Sequence, residues 1–206
     1  RIKSILIEIN SPGGSAVASK DIYDALRDSG KPSVAYLCEV AASGGYYVAS
    51  GTNWIVANPN TLTGSIGAKA ELLNYEALFQ KLGLRDEAIK SGELKDIGAG
   101  YRNMTDEERA ILQSIIDEAF ENFRDDVKIG RGEKVNNIFF AEVLDARVLT
   151  AKQAMRAGLV DEIGGRKIAL KKAASLGEIE GESAPEECAL TPPESPLTDL
   201  LSQLGS

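Results

Sequence analysis

The chain has 206 residues, 43% of them hydrophobic, which is long and apolar enough for one domain with a sizeable core. Its 31 acidic and 23 basic residues give a formal charge of -8, which argues against a nucleic-acid partner. It has no apolar run of about 18 residues, the length of a membrane span, and no histidine, which excludes a Ser-His-Asp triad.

The first predicted element is a strand over Ile5–Ile9, a short apolar run typical of a parallel sheet that is covered on both faces. A helix over Ala16–Leu26 follows, and a turn at residues 10–14 separates the two. This turn is either an ordinary Pro-Gly turn or a functional one. In the second case, the backbone N–H groups of Gly13 and Gly14 approach a ligand at a helix start and form an oxyanion hole.

A second strand is predicted over Ser33–Cys38, followed by a helix of small residues over Ala41–Ser50. Ser43 lies at the start of this helix, directly before Gly44. Small residues here either pack the helix against the sheet or expose a serine nucleophile, with the Gly44 N–H pointing at the same oxyanion. Without histidine, such a serine needs another base, and a desolvated lysine is the best-known substitute.

A third strand is predicted over Asn53–Ala57. Strands that alternate with helices at this spacing predict right-handed crossovers and an α/β sheet covered by helices. Both glycine-rich turns then fall at the carboxyl ends of strands, where the functional loops of such sheets collect. Residues 63–67, Thr-Gly-Ser-Ile-Gly, form either a plain turn or a turn whose hydroxyl orients a catalytic amine.

The candidate base is Lys95, in a glycine-bounded segment over residues 92–98 that is able to run along a cleft. A lysine that acts as a base near neutral pH must lose several units from a reference pKa of about 10.4, which requires burial without a carboxylate partner. Asp96 beside it is a complication, although adjacent side chains of an extended segment point to opposite faces. Lys90 is the alternative base.

The remaining elements complete one domain. A capping box at Thr105 opens a long helix, and residues 144–163 are predicted to form a strand, a helix capped by Gly158 and a short strand. We expect one domain over residues 1–177 and a flexible, acidic, proline-rich tail over residues 178–206. Neither of the two cysteines lies in a metal-ligand pattern, and no cofactor is expected.

Five motifs, taken in order, carry a resemblance to a known family. They are Ser-Pro-Gly-Gly at 11–14, Ala-Ala-Ser-Gly-Gly-Tyr-Tyr at 41–47, Leu-Thr-Gly-Ser-Ile-Gly at 62–67, Ser-Gly-Glu-Leu-Lys-Asp-Ile-Gly at 91–98 and Ala-Gly-Leu-Val-Asp-Glu-Ile-Gly-Gly at 157–165. With these motifs the chain resembles the signal peptide peptidase A family of Ser/Lys proteases, in its single-domain type. The resemblance implies the α/β fold of the Clp protease and the crotonases, with repeated β-β-α units, a parallel sheet and covering helices. It also implies a serine endopeptidase that cleaves hydrophobic peptides, such as remnant signal peptides, through an acyl-enzyme.

The resemblance also implies the site residues, which fall on the matched positions. They are the nucleophile Ser43, the general base Lys95, the lysine-orienting hydroxyl of Ser65, and Gly13 or Gly14 with Gly44 in the oxyanion hole. No metal is implied. One departure is that Asp145-Ala146-Arg147 stands where members commonly have Asp-Gly-Arg, which puts the local turn in doubt.

Members of the family carry a membrane anchor and assemble into rings. We therefore expect a membrane-associated protein with an extracytoplasmic-facing protease domain, anchored through a segment missing from this chain, which begins at Arg1. We also expect a homo-oligomeric ring whose active sites face a shared interior. The leucines near the end of the tail resemble the substrate class, so a further hypothesis is that the tail enters an active-site groove and is trimmed by Ser43.

Two alternatives stay open. A crotonase-like acyl-CoA enzyme would use the same paired N–H groups without needing Ser43 or Lys95, but a charge of -8 without a phosphate-binding basic cluster disfavours it. A non-catalytic scaffold of the protease fold is disfavoured because both of these residues are present.

Overall fold

The computed structural model describes residues 2–179 and 186–189. In this part of the chain the strands are β1 (Ile5–Ser11), β2 (Ser33–Ala42), β3 (Trp54–Ala57), β4 (Leu62–Gly64), β5 (Val148–Thr150) and β6 (Glu162–Ile163). The α-helices are α1 (Ala16–Asp28), α2 (Gly44–Ser50), α3 (Glu76–Leu82), α4 (Asp106–Arg131), α5 (Asn137–Glu142), α6 (Ala151–Arg156) and α7 (Arg166–Leu176). Short 3-10 turns lie at Glu93–Asp96 and Gly132–Lys134.

The strands form one sheet with β2 at its centre. The order is β5-β4-β2-β3-β6, and β1 lies against β2 as well. All pairs are parallel except β4 with β5, which is antiparallel. The predicted α/β class with a parallel sheet and covering helices is therefore confirmed, and the antiparallel edge pair is an addition to it.

Helices cover both faces of the central strands. On one face, side chains of α1, α2, α4, α5 and α6 form the main core with Ala35, Leu37 and Ile55 of the sheet. On the other face, α7 packs against Val34 and Val56. Alternate residues of β2 and β3 thus enter different cores, which explains why these strands have apolar residues at consecutive positions.

The structure corrects several predicted boundaries. Ala41 and Ala42 extend β2, and the helix starts only at Gly44. Residues 92–98 do not run extended but contain the 3-10 turn Glu93–Asp96. The strand β4 and the helices α3, α5 and α7 were not predicted, because each is short or weakly periodic in sequence.

A buried ion pair holds the end of the long helix α4. The Arg131 guanidinium donates from Nη2 to Asp161 Oδ1 at 2.8 Å and from Nε to the Gly158 carbonyl oxygen at 3.0 Å. Asp161 also accepts from the Ile55 N–H at 2.7 Å. Burial acts to raise the pKa of Asp161, but Arg131, Lys134 and the Ile55 N–H outweigh it and lower the pKa. Residues 157–165, the last of the five sequence motifs, thus have a structural role. Their Asp161 binds both Arg131 of α4 and Ile55 of β3.

Part of the predicted tail lies outside the described residues. Of residues 178–206, the structure describes only 178–179 and 186–189, where Arg166 Nη2 donates to Glu187 Oε2 at 2.5 Å. The tail's flexibility and its self-processing therefore stay predictions. Within the described ranges, no helix combines the length and apolar character needed to cross a membrane.

The departure at residues 145–147 has a visible consequence for the backbone. Ala146 has a φ of +64°, a left-handed conformation in which a Cβ is strained. The Arg147 side chain donates a hydrogen bond from Nε to Asp145 Oδ1 at 2.8 Å. A residue without a Cβ, as family members commonly have, would adopt this turn without strain.

We expect Ala146→Gly to raise the free energy of unfolding by about 0.5–1 kcal/mol, because relief of left-handed strain exceeds the entropy that glycine adds to the unfolded chain. Thermal denaturation should show a rise of about 2 °C in Tm. The matched control is Ala110→Gly on the exposed surface of α4, which should lower stability by about 1 kcal/mol. A decrease at both positions would contradict the strained turn.

Candidate active site

Ser43 lies on a sharp turn between β2 and α2. Its φ of 51° and ψ of -123° form a conformation that side-chain-bearing residues rarely adopt. The Ser43 N–H donates to the Gly64 carbonyl oxygen at 2.9 Å, and its own carbonyl oxygen accepts from the Tyr47 N–H at 2.9 Å. The half-buried side chain makes no capping bond to the helix. The backbone is therefore fixed while the hydroxyl stays available, as in a strand-to-helix nucleophile turn.

The turn after β1 lies directly against Ser43. A Cβ added at Gly13, whose φ is +107°, would lie 2.8 Å from both the Gly44 nitrogen and the Ser43 Cβ. A Cβ added at Gly44 would lie 3.3 Å from the Gly14 nitrogen and closer still to the Ser19 hydroxyl. Glycine is required at both positions because the two backbone turns touch.

Two backbone N–H groups beside Ser43 are available to bind an oxyanion. The Gly13 N–H donates to Ser11 Oγ at 3.1 Å. Among the residues that the structure describes, no acceptor is recorded for the N–H of Gly14 or of Gly44. Of the two predicted alternatives, the hydrogen bonding thus favours Gly14 as the donor that accompanies Gly44, with Gly13 as the spacer that permits the contact.

Ser65 lies beside Ser43 at the carboxyl ends of neighbouring strands. Ala42 pairs with Gly64 in the β2–β4 register, and the two serines follow these residues directly. Ser65 also has a positive φ, 51°, and its N–H donates to the Arg147 carbonyl oxygen at 2.9 Å. The strained turn at Ala146 therefore supports the backbone of Ser65.

The two tyrosines of the Ser-Gly-Gly-Tyr-Tyr motif anchor the short helix α2. The Tyr46 hydroxyl donates to the Leu159 carbonyl oxygen at 2.8 Å, and the Tyr47 hydroxyl donates to the Asp126 carboxylate. The Tyr47 ring stacks on Phe123 with centroids 4.4 Å apart. Burial raises the pKa of both hydroxyls above the ordinary range. Sequence reasoning gave these tyrosines no role, and the contacts show that they hold the helix that begins beside Ser43.

The predicted base, Lys95, differs from these residues in its surroundings. It is exposed, on the 3-10 turn of a stretch over residues 68–104, which we call the Lys95 segment. Across residues 2–179 and 186–189, no ion pair of Lys95 is recorded, and no hydrogen bond joins its side chain to Ser43 or Ser65. The burial expected of a catalytic lysine is thus not present within one chain.

Asp96 is bound by other partners. It accepts from Lys90 Nζ at 2.6 Å, from Arg102 Nη2 at 2.8 Å and from the Tyr101 hydroxyl at 2.7 Å. These hydrogen bonds, that of Arg102 foremost, hold the pKa of Asp96 well below its usual range. Asp96 is therefore engaged by groups other than the Lys95 amine. Lys90 is the weaker candidate base because it forms an ion pair with the Asp96 carboxylate.

The chain is similar in sequence to known proteases. The model of "Peptidase family S49" matches residues 25–180. A candidate protease of Methanocaldococcus jannaschii is 36% identical over 86% of this chain and 57% of its own length. The chloroplast serine protease SPPA of Arabidopsis thaliana is 35% identical over 100% of this chain and 31% of its own. A candidate signal peptide peptidase of Enterococcus faecium is 37% identical over 82% of this chain and 49% of its own. The chain thus spans between 31% and 57% of the length of these relatives.

The fold also matches a solved structure. A membrane-bound stomatin-specific protease, in a serine-to-alanine mutant form, superposes with a TM-score of 0.51 over 82% of this chain and 69% of that one, at 22% identity. This likeness concerns the fold, and with the family match it confirms the Clp-like α/β architecture that the motifs predicted. The chain belongs to peptidase family S49, within the signal peptide peptidase A family that its motifs resemble.

Proposed function

We propose that this chain is the catalytic part of a serine endopeptidase in which Ser43 is the nucleophile and Lys95 the general base. The observation that carries the proposal is the junction of the two glycine turns. There, a serine on a strained strand-to-helix turn has an uncapped hydroxyl next to the N–H groups of Gly14 and Gly44. This arrangement suits acyl transfer, because an attacking oxygen lies next to two donors for the oxyanion that forms.

The proposed reaction has two halves. Ser43 Oγ attacks the scissile carbonyl carbon while its proton passes to the neutral Lys95 amine, and Gly14 and Gly44 bind the resulting oxyanion. The intermediate collapses to an ester on Ser43 as the Lys95 ammonium returns the proton to the leaving amine. A water then attacks the ester carbonyl and loses a proton to Lys95. The bond from the acyl carbon to Ser43 Oγ breaks, Lys95 returns the proton to Oγ, and the carboxylic acid product leaves. The Ser65 hydroxyl orients the lysine amine throughout.

We propose that a second copy of the chain delivers the lysine. The Lys95 segment exposes an unusual number of apolar side chains, and α3 within it has no buried residue. The exposed fractions are 50% for Leu72, 79% for Leu73, 54% for Leu78, 62% for Leu82, 51% for Leu84, 98% for Ile89 and 42% for Leu94. Apolar surface on this scale marks an interface rather than a monomer face. Contact through this segment in a homo-oligomeric ring would bury both the leucines and the Lys95 amine.

The substrate class proposed is hydrophobic peptide, such as a remnant signal peptide. This proposal rests on the family, because Ala41 and Ala42, the two residues before Ser43, are buried in the sheet and offer no surface to a substrate. Membrane association through a segment outside this chain, with the catalytic part facing away from the cytoplasm, is proposed on the same ground.

Peptides that differ only in the residue before the scissile bond test this function. We expect hydrolysis when that residue is Ala or Leu and at least about tenfold slower hydrolysis when it is Lys or Arg. The matched measurement is turnover of an acyl-CoA thioester, which a crotonase-like enzyme would process through the same N–H pair. Preference for the basic residues would reject the substrate class. Acyl-CoA turnover without peptide hydrolysis would reject the proposed function.

A further inference from the structure

Arg102 joins the Lys95 segment to the fixed start of α4. On one side its Nη2 and Nε donate to the two Asp96 oxygens, at 2.8 and 3.1 Å. On the other side its Nη1 donates to Glu108 Oε2 at 2.9 Å. Glu108 is only 2% exposed and completes the capping box with Thr105. The 3-10 turn that carries Lys95 is thus tied to a buried carboxylate at a well-defined helix end.

This connection fixes the direction of the Asp96 carboxylate. Asp96 follows Lys95 in the chain, yet its side chain is 12% exposed and engaged by Arg102, Lys90 and Tyr101. Successive residues of a 3-10 turn point about 120° apart, so the Lys95 side chain leaves the turn in another direction. The three donors therefore hold the Asp96 carboxylate in a direction different from that of the Lys95 side chain.

We propose that Arg102 is a positioning residue of the catalytic centre, which holds the Asp96 carboxylate away from the Lys95 amine so that this amine stays free to accept the serine proton. The inference rests on the proposed role of Lys95. A carboxylate within about 4–6 Å favours the ammonium form of a lysine, and an ammonium group accepts no proton. Arg102 would therefore set the pH range in which the enzyme works, without touching the substrate.

Other charged groups near the lysine are the same in every variant of the test. Glu93 and Glu107 line one shallow depression together with Lys95, and they approach it from the turn and from the start of α4. Lys90, Tyr101 and Arg102 surround Asp96. A change at Asp96 or at one of its partners therefore alters one local charge against a constant background.

Two substitutions that leave buried Glu108 paired should shift the pH profile of kcat/KM in opposite directions. Lys90→Gln removes one of the cations that hold Asp96, so half-maximal activity should move to higher pH by about 0.5–1 unit. Asp96→Asn removes the negative charge and leaves two cations, so half-maximal activity should move to lower pH by a similar amount. The control is Lys81→Gln, a charge removal on exposed α3 that should cause no shift.

Arg102→Ala should cause the largest shift, about one unit or more to higher pH, and the double variant Arg102→Ala/Asp96→Asn should restore the wild-type profile. Circular dichroism and melting of each variant report whether loss of the Glu108 partner unfolds the chain. If Arg102→Ala does not fold, the pH profiles of Lys90→Gln and Asp96→Asn still test the proposal, because their shifts are expected in opposite directions. Unchanged or same-direction shifts in these two variants would overturn the role of Arg102, provided that Lys95→Ala is inactive. An active Lys95→Ala enzyme would instead overturn the proposed function itself.

Discussion

Lys95→Arg will abolish peptide hydrolysis, whereas the same substitution at Lys90 will leave it nearly unchanged. An arginine stays protonated at any working pH, so it cannot accept the proton of the Ser43 hydroxyl. Lys90, in contrast, serves as a cationic partner of Asp96, and an arginine keeps that ion pair. We expect kcat to fall by at least about 10³-fold in Lys95→Arg and in Ser43→Ala. Steady-state kinetics with one hydrophobic peptide measure all three variants.

The Lys95→Arg and Ser43→Ala variants should lose hydrolysis while keeping the wild-type fold. The Lys95 side chain is exposed within the chain and Ser43 forms no side-chain cap, so circular dichroism and thermal melting should match the wild type. Activity retained in Lys95→Arg together with loss in Lys90→Arg would transfer the role of base to Lys90. Activity retained in Ser43→Ala would reject the nucleophile.

Co-expression of two inactive variants should restore activity. A ring that contains Ser43→Ala and Lys95→Ala chains has interfaces at which an intact serine of one copy meets an intact lysine of the next. With equal amounts and random assembly, about one interface in four is complete, so about a quarter of wild-type activity is expected. The physical reason is the position of Lys95, which is exposed on a segment rich in exposed leucines and has no ion pair within residues 2–179 and 186–189. Purified mixed oligomers and a fluorogenic peptide are sufficient for the measurement.

The control for this experiment is co-expression of each inactive variant with the double variant Ser43→Ala/Lys95→Ala, which offers no complete interface and should stay inactive. If the Ser43→Ala and Lys95→Ala mixture is equally inactive although mixed oligomers form, the serine and lysine of one chain act together. The proposal that a second copy delivers the lysine would then be wrong.

The glycine turns and their serine could be predicted from the sequence because their signals are local. A short apolar strand, a glycine pair and a helix start specify where the chain turns, and in the structure Gly13 lies directly against Ser43. The choice between Gly13 and Gly14 could not be made in the same way. It depends on the Ser11 hydroxyl, which occupies the Gly13 N–H through a turn whose geometry the spacing does not determine.

The surroundings of Lys95 could not be predicted, because they depend on residues outside the motif. Asp96 looked like a partner of its neighbour, but Arg102, six residues further on in the loop before α4, binds it. The anchor of α2 is similarly remote, since Tyr47 and Asp126 are 79 residues apart in the chain. Periodicity and spacing describe contacts within one element, whereas these contacts join elements that meet only in the folded chain.

Labelling with a serine-reactive fluorophosphonate, followed by peptide mass spectrometry, tests the central claim most directly. The reagent forms a covalent bond with an activated serine oxygen, so it reports the nucleophile without knowledge of the natural substrate. We predict one adduct per chain, on the peptide that contains Ser43, with no adduct in Ser43→Ala and much slower labelling in Lys95→Arg. An adduct on another residue, or no adduct on an enzyme that still hydrolyses peptides, would contradict the account.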